Sequence, residues 1–349
     1  MPDKVVIKLN ASSLPYTKCV LRWYRTCVQG YKETLAPAKV VYGIAVHAFI
    51  DAMYKTDGDI KLARDKAWKA FRVPKFDDNK SKHLSDETHL LPTCYNLWED
   101  YVLKEHDFDV IMLRSKCFYC EGKGWINSSA TVDSKAPCLH CDSTGYREQP
   151  ATEVTFSIKY YEDDYIIVYL EGTLDRIGKV KGGCYAIRDW KNTSAWDIDK
   201  FLSAFEMRTQ QRFYVLSLKL MAELEPKSIL GQVGATNVGS IIDGIFLKPR
   251  VSENVYRQSD FFSLKDSTLK EYREELDRLI NHLSYNISRN SWDRKEGILN
   301  GACEAQYSEG AVYKCPFWFV CCAQDKAVSD LLLKRDFVIK PFDPLHHNE

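Results

Sequence analysis

Two aspartates and a lysine stand at the ends of two neighbouring predicted strands. In the stretch EGTLDRIGKVKGGCYAIRDWKNTSAW, Asp175 ends one predicted strand, and Asp189 and Lys191 flank Trp190 at the end of the next. Residues two apart on a strand point to the same face, so Asp189 and Lys191 share a face, and a hairpin brings both to Asp175. Carboxylates are hard oxygen ligands suited to Mg²⁺ or Mn²⁺. A nearby ammonium can orient a water and stabilise charge on an attacked phosphate. The three side chains therefore predict a site that hydrolyses phosphodiester bonds.

The elements that must position these residues follow from the periodicity of the apolar side chains. Three consecutive strands carry the site, and the remaining predicted strands are a short one at the start and a later pair. The strands are predicted at residues 5–9, 153–161, 164–177, 184–191, 241–250 and 253–262. Helices are predicted at residues 13–35, 43–56, 60–72, 197–222 and 265–285, with a helix pair in SDETHLLPTCYNLWEDYVL, for which Ser85 is the predicted N-cap.

The strand-end motifs GTLDRI and AIRDWKNT resemble the RecB-like branch of the PD-(D/E)XK nucleases. That family's pattern runs G-x-h-D-R-h, a hairpin, and h-x-D-h-K-T. Asn192 departs from it, because the usual Thr comes one place later, at Thr193. The resemblance implies a restriction-endonuclease-like α/β core, with a central mixed β-sheet flanked by helices. It also implies that Asp175, Asp189 and the Trp190 carbonyl bind Mg²⁺ or Mn²⁺ and that Lys191 positions the nucleophilic water.

Two further motifs of the resembled family flank the strands. Upstream, its G-x-x-x-H pattern is found from Gly43 to His47, and the histidine is expected to complete the metal shell. Downstream, its Q-x-x-x-Y pattern is found from Gln210 to Tyr214, two residues that share a helix face and are expected to contact DNA or brace the site. Gln211 is an alternative to Gln210. A lone histidine on an apolar helix, or an isolated D-x-K on a strand, is more often structural, so the interpretation rests on all the motifs occurring together.

Four cysteines in residues 115–150 form two C-x₂-C knuckles, CFYCEGKGW and CLHCDSTGY, with 17 residues between them. This spacing is typical of a zinc site, and four thiolates without an open position predict a structural one. The glycines after each pair permit tight turns that aim N–H groups at sulfur. The pattern is similar to the cysteine-rich repeats of DnaJ-type chaperones, from which we carry over metal binding alone. The predicted Zn²⁺ ligands are Cys117, Cys120, Cys138 and Cys141.

A looser cysteine cluster stands near the C-terminus in GACEAQYSEGAVYKCPFWFVCC. It is similar to the C-terminal cluster of RecB-type nucleases that carry a [4Fe–4S] centre, including AddB-type and CRISPR adaptation nucleases. In that family the fourth ligand lies near the N-terminus, which nominates Cys19. The resemblance thus implies a [4Fe–4S] cluster on Cys19, Cys303, Cys315 and Cys321 that staples the two ends of the chain. Cys27 and Cys322 are alternative ligands, and buried free thiols are the alternative to any cluster.

Composition limits the classes of protein that fit. The 349 residues include 48 Lys+Arg and 48 Asp+Glu, so the net charge is zero, whereas proteins that simply coat nucleic acid are usually basic. Any DNA contact must therefore come from local patches, such as the basic and aromatic residues interleaved in residues 64–76, for which an amphipathic helix with buried rings is the simpler interpretation. No apolar run approaches a membrane span, and no secretory signal is recognised. We expect a cytoplasmic protein of bacterial or phage origin, in which closely spaced cysteines bind metal rather than form disulfides.

The predicted organisation has three parts: residues 1–114 as the helical N-terminal part of the nuclease domain with the first cluster cysteine, residues 115–150 as the zinc insertion, and residues 151–349 as the nuclease core with the C-terminal cysteines. The predicted function is metal-dependent DNA cleavage, specifically by an exonuclease acting on DNA ends in repair, recombination or phage replication. No Walker-type motif is present, so a motor activity would need a helicase or another recombination or replication protein as partner. One alternative is a catalytically silent or weakly active DNA-binding subunit of a larger repair or replication complex. The other is a zinc-centred interaction protein of chaperone-adaptor type.

Overall fold

A computed structural model describes most of the chain. The described residues are 4–34, 36–71, 75–76, 87–104, 107–127, 135–193, 197–206, 208–292, 306–308, 311–313, 315–323 and 325–342. The strands are β1 (Val5–Leu9), β2 (Tyr31–Glu33), β3 (Ala36–Pro37), β4 (Lys75–Phe76), β5 (Phe108–Val110), β6 (Met112–Lys116), β7 (Trp125–Asn127), β8 (Lys135–Pro137), β9 (Tyr146–Pro150), β10 (Thr152–Glu162), β11 (Ile166–Val180), β12 (Tyr185–Thr193), β13 (Val238–Phe246), β14 (Val255–Gln258), β15 (Phe262–Ser263), β16 (Gln306–Ser308), β17 (Ala311–Tyr313) and β18 (Phe337–Ile339). The α-helices are α1 (Val20–Trp23), α2 (Ala38–Lys55), α3 (Ile60–Phe71), α4 (Glu87–Asp100), α5 (Ile198–Ser203), α6 (Thr209–Leu224), α7 (Ile229–Gly234), α8 (Asp266–Arg289), α9 (Trp318–Cys322) and α10 (Lys326–Asp336).

A mixed β-sheet forms the centre of the fold, and β11 is its longest strand. Along the sheet the order is β1, β11, β12, β13 and β14, with β10 and β5 also paired to β11 and β15 paired to β13. The pairs β1–β11 and β12–β13 are parallel, whereas β10–β11, β11–β12 and β13–β14 are antiparallel. Together with the flanking helices, this confirms the predicted α/β fold of restriction-endonuclease type.

Two apolar cores cover the central strands. In one, Phe213, Leu216 and Leu220 of α6 pack with Leu276 and Ile280 of α8 against β10 and β11. In the other, α2, α3 and α4 pack against the ends of β12 and β13. Burial of these side chains provides the main favourable free energy of folding. The sheet is therefore enclosed by helices, and polar residues buried at its strand ends require specific partners.

Several predicted helices differ from the structure because the backbone interrupts or shortens them. The single helix predicted at residues 13–35 is wrong: a 3₁₀ turn at Leu14–Lys18 precedes α1, a π turn at Tyr24–Val28 follows it, and β2 comes after Gly30, whose φ is +74°. The predicted helix at residues 197–222 is divided into α5 and α6. Arg208, which precedes α6, has extended backbone angles that interrupt the helix. The predicted helix pair is one helix, α4, followed by a 3₁₀ turn, and Ser85 lies outside the described residues.

Residues of the predicted zinc insertion form small sheets of their own. The ladder between β6 and β9 runs from Met112–Pro150 to Lys116–Tyr146, and β7 pairs with β8. Phe118 N donates to Gln149 Oε1 at 3.1 Å, and Gln149 Nε2 donates to the Lys116 carbonyl at 2.6 Å. The insertion thus leaves the sheet after β5 and returns to it directly before β10. Among the described residues, no helix is both long and apolar enough to cross a membrane.

Candidate metal-dependent active site

Three side chains of types that bind divalent metal ions converge where α2 approaches β10 and β11. The ligand atoms of His47, Glu153 and Asp175 all lie within 4.8 Å of one another. Nδ1 of His47 is 3.2 Å from Oε1 of Glu153 and 3.6 Å from Oδ2 of Asp175. One imidazole nitrogen and two carboxylates form a donor set that suits a divalent cation such as Mg²⁺ or Mn²⁺.

Glu153 was missed by the sequence analysis. Thr152 pairs with Arg176 and Val154 pairs with Leu174, so Glu153 lies opposite Asp175 on the neighbouring strand. Its φ of +46° places it in the left-handed region, where non-glycine residues are strained. The hydroxyl of Thr152 donates to Asp51 Oδ1 at 2.6 Å, one helical turn beyond His47 on α2. Thr152 and Glu153, which are consecutive on β10, therefore contact Asp51 and His47, which lie four residues apart on α2.

Asp189 and Lys191 lie beside this donor set, at the end of β12. Nζ of Lys191 is 2.5 Å from Asp189 Oδ2 and donates to the Trp190 carbonyl at 3.4 Å. The backbone N–H of Trp190 donates to Asp175 Oδ2 at 2.7 Å, which fixes the spacing of the two strand ends. Asp189 is not part of the group whose ligand atoms lie within 4.8 Å, because its carboxylate is held by Lys191 and α6. The ligand roles predicted for Asp189 and the Trp190 carbonyl stay predictions.

The first turns of α6 supply the amides that hold Asp189. Nε2 of Gln210 donates to Asp189 Oδ1 at 3.4 Å and to the Tyr214 hydroxyl at 3.0 Å. Nε2 of Gln211 donates to Asp189 Oδ2 at 3.3 Å, and this side chain is fully buried. Both glutamines therefore reach the same carboxylate. The alternative between Gln210 and Gln211 becomes a pair that acts together, and Tyr214 braces Gln210.

The electrostatics of the site are those of a cation site. Burial lowers the pKa of His47, but Asp175 and Glu153 outweigh this and raise it to about 9. Burial raises the pKa of Asp189 to about 6, with Asp175 adding to the rise and Lys191 opposing it. The pKa of Asp175 is also raised, mainly by burial. The raised pKa of His47 shows that the neighbouring carboxylates create a negative potential at this point, which a divalent cation can neutralise.

Gly43 allows α2 to approach the strand that carries Asp189. A Cβ on Gly43 would lie 2.9 Å from Nδ2 of Asn192, closer than side chains pack. Asn192 is the residue that departs from the resembled family's pattern. The glycine of the G-x-x-x-H motif therefore leaves room for the Asn192 side chain of β12, one turn of helix before His47, and a larger residue would require this side chain to move.

The cysteines of the insertion form a second donor group. The Sγ atoms of Cys117, Cys120, Cys138 and Cys141 lie within 4.8 Å of one another, and all four side chains are buried. Sγ of Cys117 is 3.9 Å from that of Cys138, and Sγ of Cys120 is 3.7 Å from that of Cys141. Four thiolates bound tetrahedrally at about 2.3 Å from zinc lie about 3.8 Å apart. This buried Cys₄ group can hold a metal ion.

Turns at glycine place N–H groups at the sulfurs. Gly122, Gly124 and Gly145 have φ values of +83°, +76° and +77°, and Gly124 N donates to Cys120 Sγ at 3.3 Å. Burial would raise the pKa of Cys120, but the Gly124 N–H and the neighbouring thiols lower it to about 7. A lowered pKa favours the thiolate, which is the form that binds metal. Burial instead raises the pKa of Cys117 and, to about 12, that of Cys138, so metal binding must displace protons from these thiols.

The described cysteines of the predicted iron–sulfur set lie where the two ends of the chain meet. Cys303 lies outside the described residues. Strand β18 pairs with β2, and burial raises the pKa of Cys315, to which electrostatic interactions with Cys321 and Cys19 contribute. Nη1 of Arg25 is 3.3 Å from Cys321 Sγ, so a guanidinium is placed to compensate thiolate charge. The roles of these cysteines as cluster ligands stay predictions.

The interleaved basic and aromatic stretch near α3 points its rings inward in the part that the structure describes. Trp68 makes an edge contact with Phe71, and Phe71 is fully buried. Lys66 binds Glu121 of the insertion at 3.0 Å and lies over the Phe118 ring. The amphipathic interpretation of α3 therefore holds for these residues, and Lys66 connects the helix to the insertion.

Comparison with known proteins supports the chemistry of the site. The family model of the PD-(D/E)XK nuclease superfamily matches residues 9–322 of the 349-residue chain. The chain matches none of the curated protein sequences. The matched range includes the α2, β10, β11, β12 and α6 residues of the candidate site.

Proposed function

The chain belongs to the PD-(D/E)XK nuclease superfamily, and from this membership and the site geometry we propose that it is a metal-dependent DNA nuclease, specifically an exonuclease that hydrolyses phosphodiester bonds at DNA ends. The cellular process that we propose is repair, recombination or phage replication. The single observation that carries the proposal is the convergence of His47, Glu153 and Asp175 within 4.8 Å, beside the Asp189–Lys191 pair.

The residues of the chain divide the work between holding the ion and holding the substrate. His47, Glu153, Asp175 and Asp189 are the ligands that we assign to Mg²⁺ or Mn²⁺, with the Trp190 carbonyl as a further one. The ion, when bound, polarises the scissile phosphate and helps to activate a water. Lys191 is the cation nearest to Asp189 in the described site, at 2.5 Å, where its ammonium can orient the attacking water and stabilise charge on the phosphate. Gln210, Gln211 and Tyr214 keep Asp189 in place.

The two cysteine sets have structural roles in this proposal. Cys117, Cys120, Cys138 and Cys141 bind one Zn²⁺, for which their sulfur separations of 3.7 and 3.9 Å are suitable. Cys19, Cys303, Cys315 and Cys321 bind a [4Fe–4S] cluster that joins residues 1–114 to the C-terminal part of residues 151–349. DNA is the proposed substrate, and unwinding would be supplied by a helicase partner.

Cleavage of end-labelled DNA tests the proposal. Protein purified without oxygen is incubated with linear single- or double-stranded DNA labelled at either end, with Mg²⁺, with Mn²⁺ or with EDTA. Wild type is expected to release label only with a metal ion, and Lys191→Ala is expected to lose at least a hundredfold in rate. Lys179→Ala is the matched control, since Lys179 lies on β11 over the Tyr185 ring, at the end of the strand beyond Asp175.

The order in which the label is released gives the polarity. If wild type cuts neither form of DNA while its zinc and iron are bound, the catalytic proposal fails and a DNA-binding subunit is the better description. If internal fragments appear before label is released from the ends, the enzyme is an endonuclease and the exonuclease part of the proposal is wrong.

A further inference from the structure

Two arginines lie behind the candidate metal site, on the opposite face of the sheet. Arg176 follows Asp175 on β11, Arg188 precedes Asp189 on β12, and the two arginines are direct cross-strand partners. Because neighbouring residues on a strand point to opposite faces, both arginines face away from the carboxylates. Arg176 is 0% exposed and Arg188 is 1% exposed. Two guanidinium groups are therefore buried side by side at the point where the sheet carries its metal ligands.

Such a pair is unfavourable without a counter-charge. Like charges directly opposite each other destabilise a sheet, and a buried charge without a partner is strongly destabilising. Asp243 of β13, which is 0% exposed, supplies the counter-charge. Its Oδ2 accepts from Arg176 Nη2 at 2.8 Å and from Arg188 Nε at 2.8 Å, and its Oδ1 accepts from Arg188 Nη2. One carboxylate therefore ties together the three strands β11, β12 and β13.

Polar side chains from the helical layer complete this network. The Tyr101 hydroxyl donates to Asp243 Oδ1 at 2.7 Å, and Arg176 Nη1 donates to the Tyr54 hydroxyl of α2 at 2.5 Å. Burial would raise the pKa of Asp243, but Arg188 and Arg176 outweigh burial and lower it. The carboxylate is thus held ionised, and it is anchored to the sheet and to the helices on this face.

Trp190 connects the network to the metal ligands. The Arg176 guanidinium lies 4.4 Å from the centroid of the Trp190 ring, and Trp190 is opposite Asp243 in the β12–β13 register. The backbone N–H of the same tryptophan donates to Asp175 Oδ2 at 2.7 Å. Fixing the Trp190 ring on one face of the sheet therefore fixes a hydrogen bond to a metal ligand on the other.

We propose that Asp243 is a positioning residue of the nuclease: by holding Arg176 and Arg188 together, it sets the separation of Asp175 and Asp189 and so the affinity of the site for its divalent cation. The inference rests on the proposed function for the identity of the site, but it concerns a residue that touches neither the ion nor DNA. Removal of the Asp243 charge leaves two buried guanidinium groups facing each other, and the strand ends that carry the ligands separate.

Mn²⁺ binding measured by electron paramagnetic resonance tests this role without DNA. Asp243→Asn keeps the shape of the side chain and removes its charge. We expect its Mn²⁺ dissociation constant to rise about 10- to 100-fold, in the range found when groups that orient metal ligands are changed. With saturating Mn²⁺, kcat falls while KM for DNA stays unchanged. The matched control is Asp163→Asn, which changes a hydrogen-bonded carboxylate, with a lowered pKa, in the turn between β10 and β11.

The outcomes distinguish a failure of the positioning role of Asp243 from a failure of the proposed nuclease function. If Asp243→Asn binds Mn²⁺ as tightly as Asp163→Asn while both are folded, the positioning role is overturned. If Asp243→Asn does not fold, Tyr101→Phe combined with Gln258→Leu loosens Asp243 and Arg188 without changing any charge, since Gln258 accepts from Arg188 at 3.2 Å. That double variant must raise the Mn²⁺ dissociation constant at least threefold, or the role is overturned. If wild type and His47→Ala bind Mn²⁺ equally weakly, the proposed function itself fails.

Discussion

Glu153 reaches His47 from a left-handed backbone. Its Oε1 lies 3.2 Å from Nδ1 of His47, while its φ is +46°. For a non-glycine residue this conformation costs about 1 kcal/mol or more. Strain of this kind persists where the surrounding contacts enforce it, and it is concentrated at functional sites. Thr152 and Val154, the residues on either side of Glu153, both pair with β11 and so fix the backbone of Glu153. This backbone directs the Glu153 side chain toward His47.

Glycine at position 153 should therefore give a more stable protein than alanine, the reverse of the usual order in a strand. We expect Glu153→Gly to have a free energy of unfolding about 1 kcal/mol higher than Glu153→Ala, because only glycine adopts positive φ without strain. Both variants should lose at least tenfold in Mn²⁺ affinity, because a carboxylate ligand is removed. Urea denaturation and electron paramagnetic resonance measure the two effects. Glu162 is an exposed residue at the other end of β10, without a positive φ. There Glu162→Ala should be more stable than Glu162→Gly. The same order at both positions would contradict the strain argument.

The affinity of the site for Mn²⁺ should increase with pH up to about 9. The pKa of His47 is raised to about 9, so the metal-free imidazole carries a proton that must leave when the ion binds. One displaced proton makes the affinity rise roughly tenfold per pH unit between pH 7 and 9 and level off above that. By the same linkage, protonated His47 stabilises the metal-free fold fully below its ordinary pKa of 6.5, and this stabilisation is lost as the pH rises to about 9.

Titrations with Mn²⁺ at several pH values check this dependence. His47→Ala should bind weakly and lose the slope between pH 7 and 9. His140→Ala should keep it, because His140 stacks on Tyr119 in the insertion, away from the site. An affinity of wild type that does not change from pH 7 to 9 would show that His47 is not a ligand.

The strand-borne part of the site could be predicted because its information is local. Asp175, Asp189 and Lys191 stand in short motifs on a single hairpin, and alternation along a strand fixes their faces. The long helices were predictable for a similar reason, since α8 repeats apolar residues with helical periodicity. The helix predicted at residues 13–35 failed because that segment turns at Gly30 to pair with β18, a partner some 300 residues later that local patterns do not reveal.

Glu153 could not be identified from the sequence because a bulge sets its register. Lys159 pairs with Tyr169, but Tyr161 pairs with Val168, so the β10–β11 register shifts by one residue between them. Counting back from the turn without this shift places Glu153 opposite Arg176, on the other face of the sheet. A shift of one residue exchanges the two faces of a strand, and bulges are frequent beside active sites. Glu153 was visible only as an acidic residue at the start of a predicted strand.

Loss of one insertion cysteine should release the zinc without unfolding the nuclease core. Cys138→Ser is expected to lower the zinc content from one per chain to nearly none, since the remaining three thiolates leave an incomplete shell. The segment from Met112 to Pro150 should then become sensitive to protease, because its small sheets have little apolar core of their own. Cys184→Ser, outside the group, should retain zinc. Inductively coupled plasma mass spectrometry measures the zinc content, and limited proteolysis measures the sensitivity of the segment. Zinc retained by Cys138→Ser would contradict the assignment.

Replacing Cys19 should remove the iron, whereas replacing Cys27 should not. Burial raises the pKa of Cys315, and Cys321 and Cys19 add to the rise. Cys27 packs instead against the apolar core around β10 and β11, whereas Cys315 and Cys321 pack against the cluster of Phe317 and Phe337. Cys19→Ser purified without oxygen should therefore lose its iron and its visible absorbance, and its melting temperature should fall because the cluster no longer reinforces the β2–β18 pairing between the two ends of the chain. Cys27→Ser should keep all three properties, and loss of iron from Cys27→Ser but not from Cys19→Ser would exchange the two assignments.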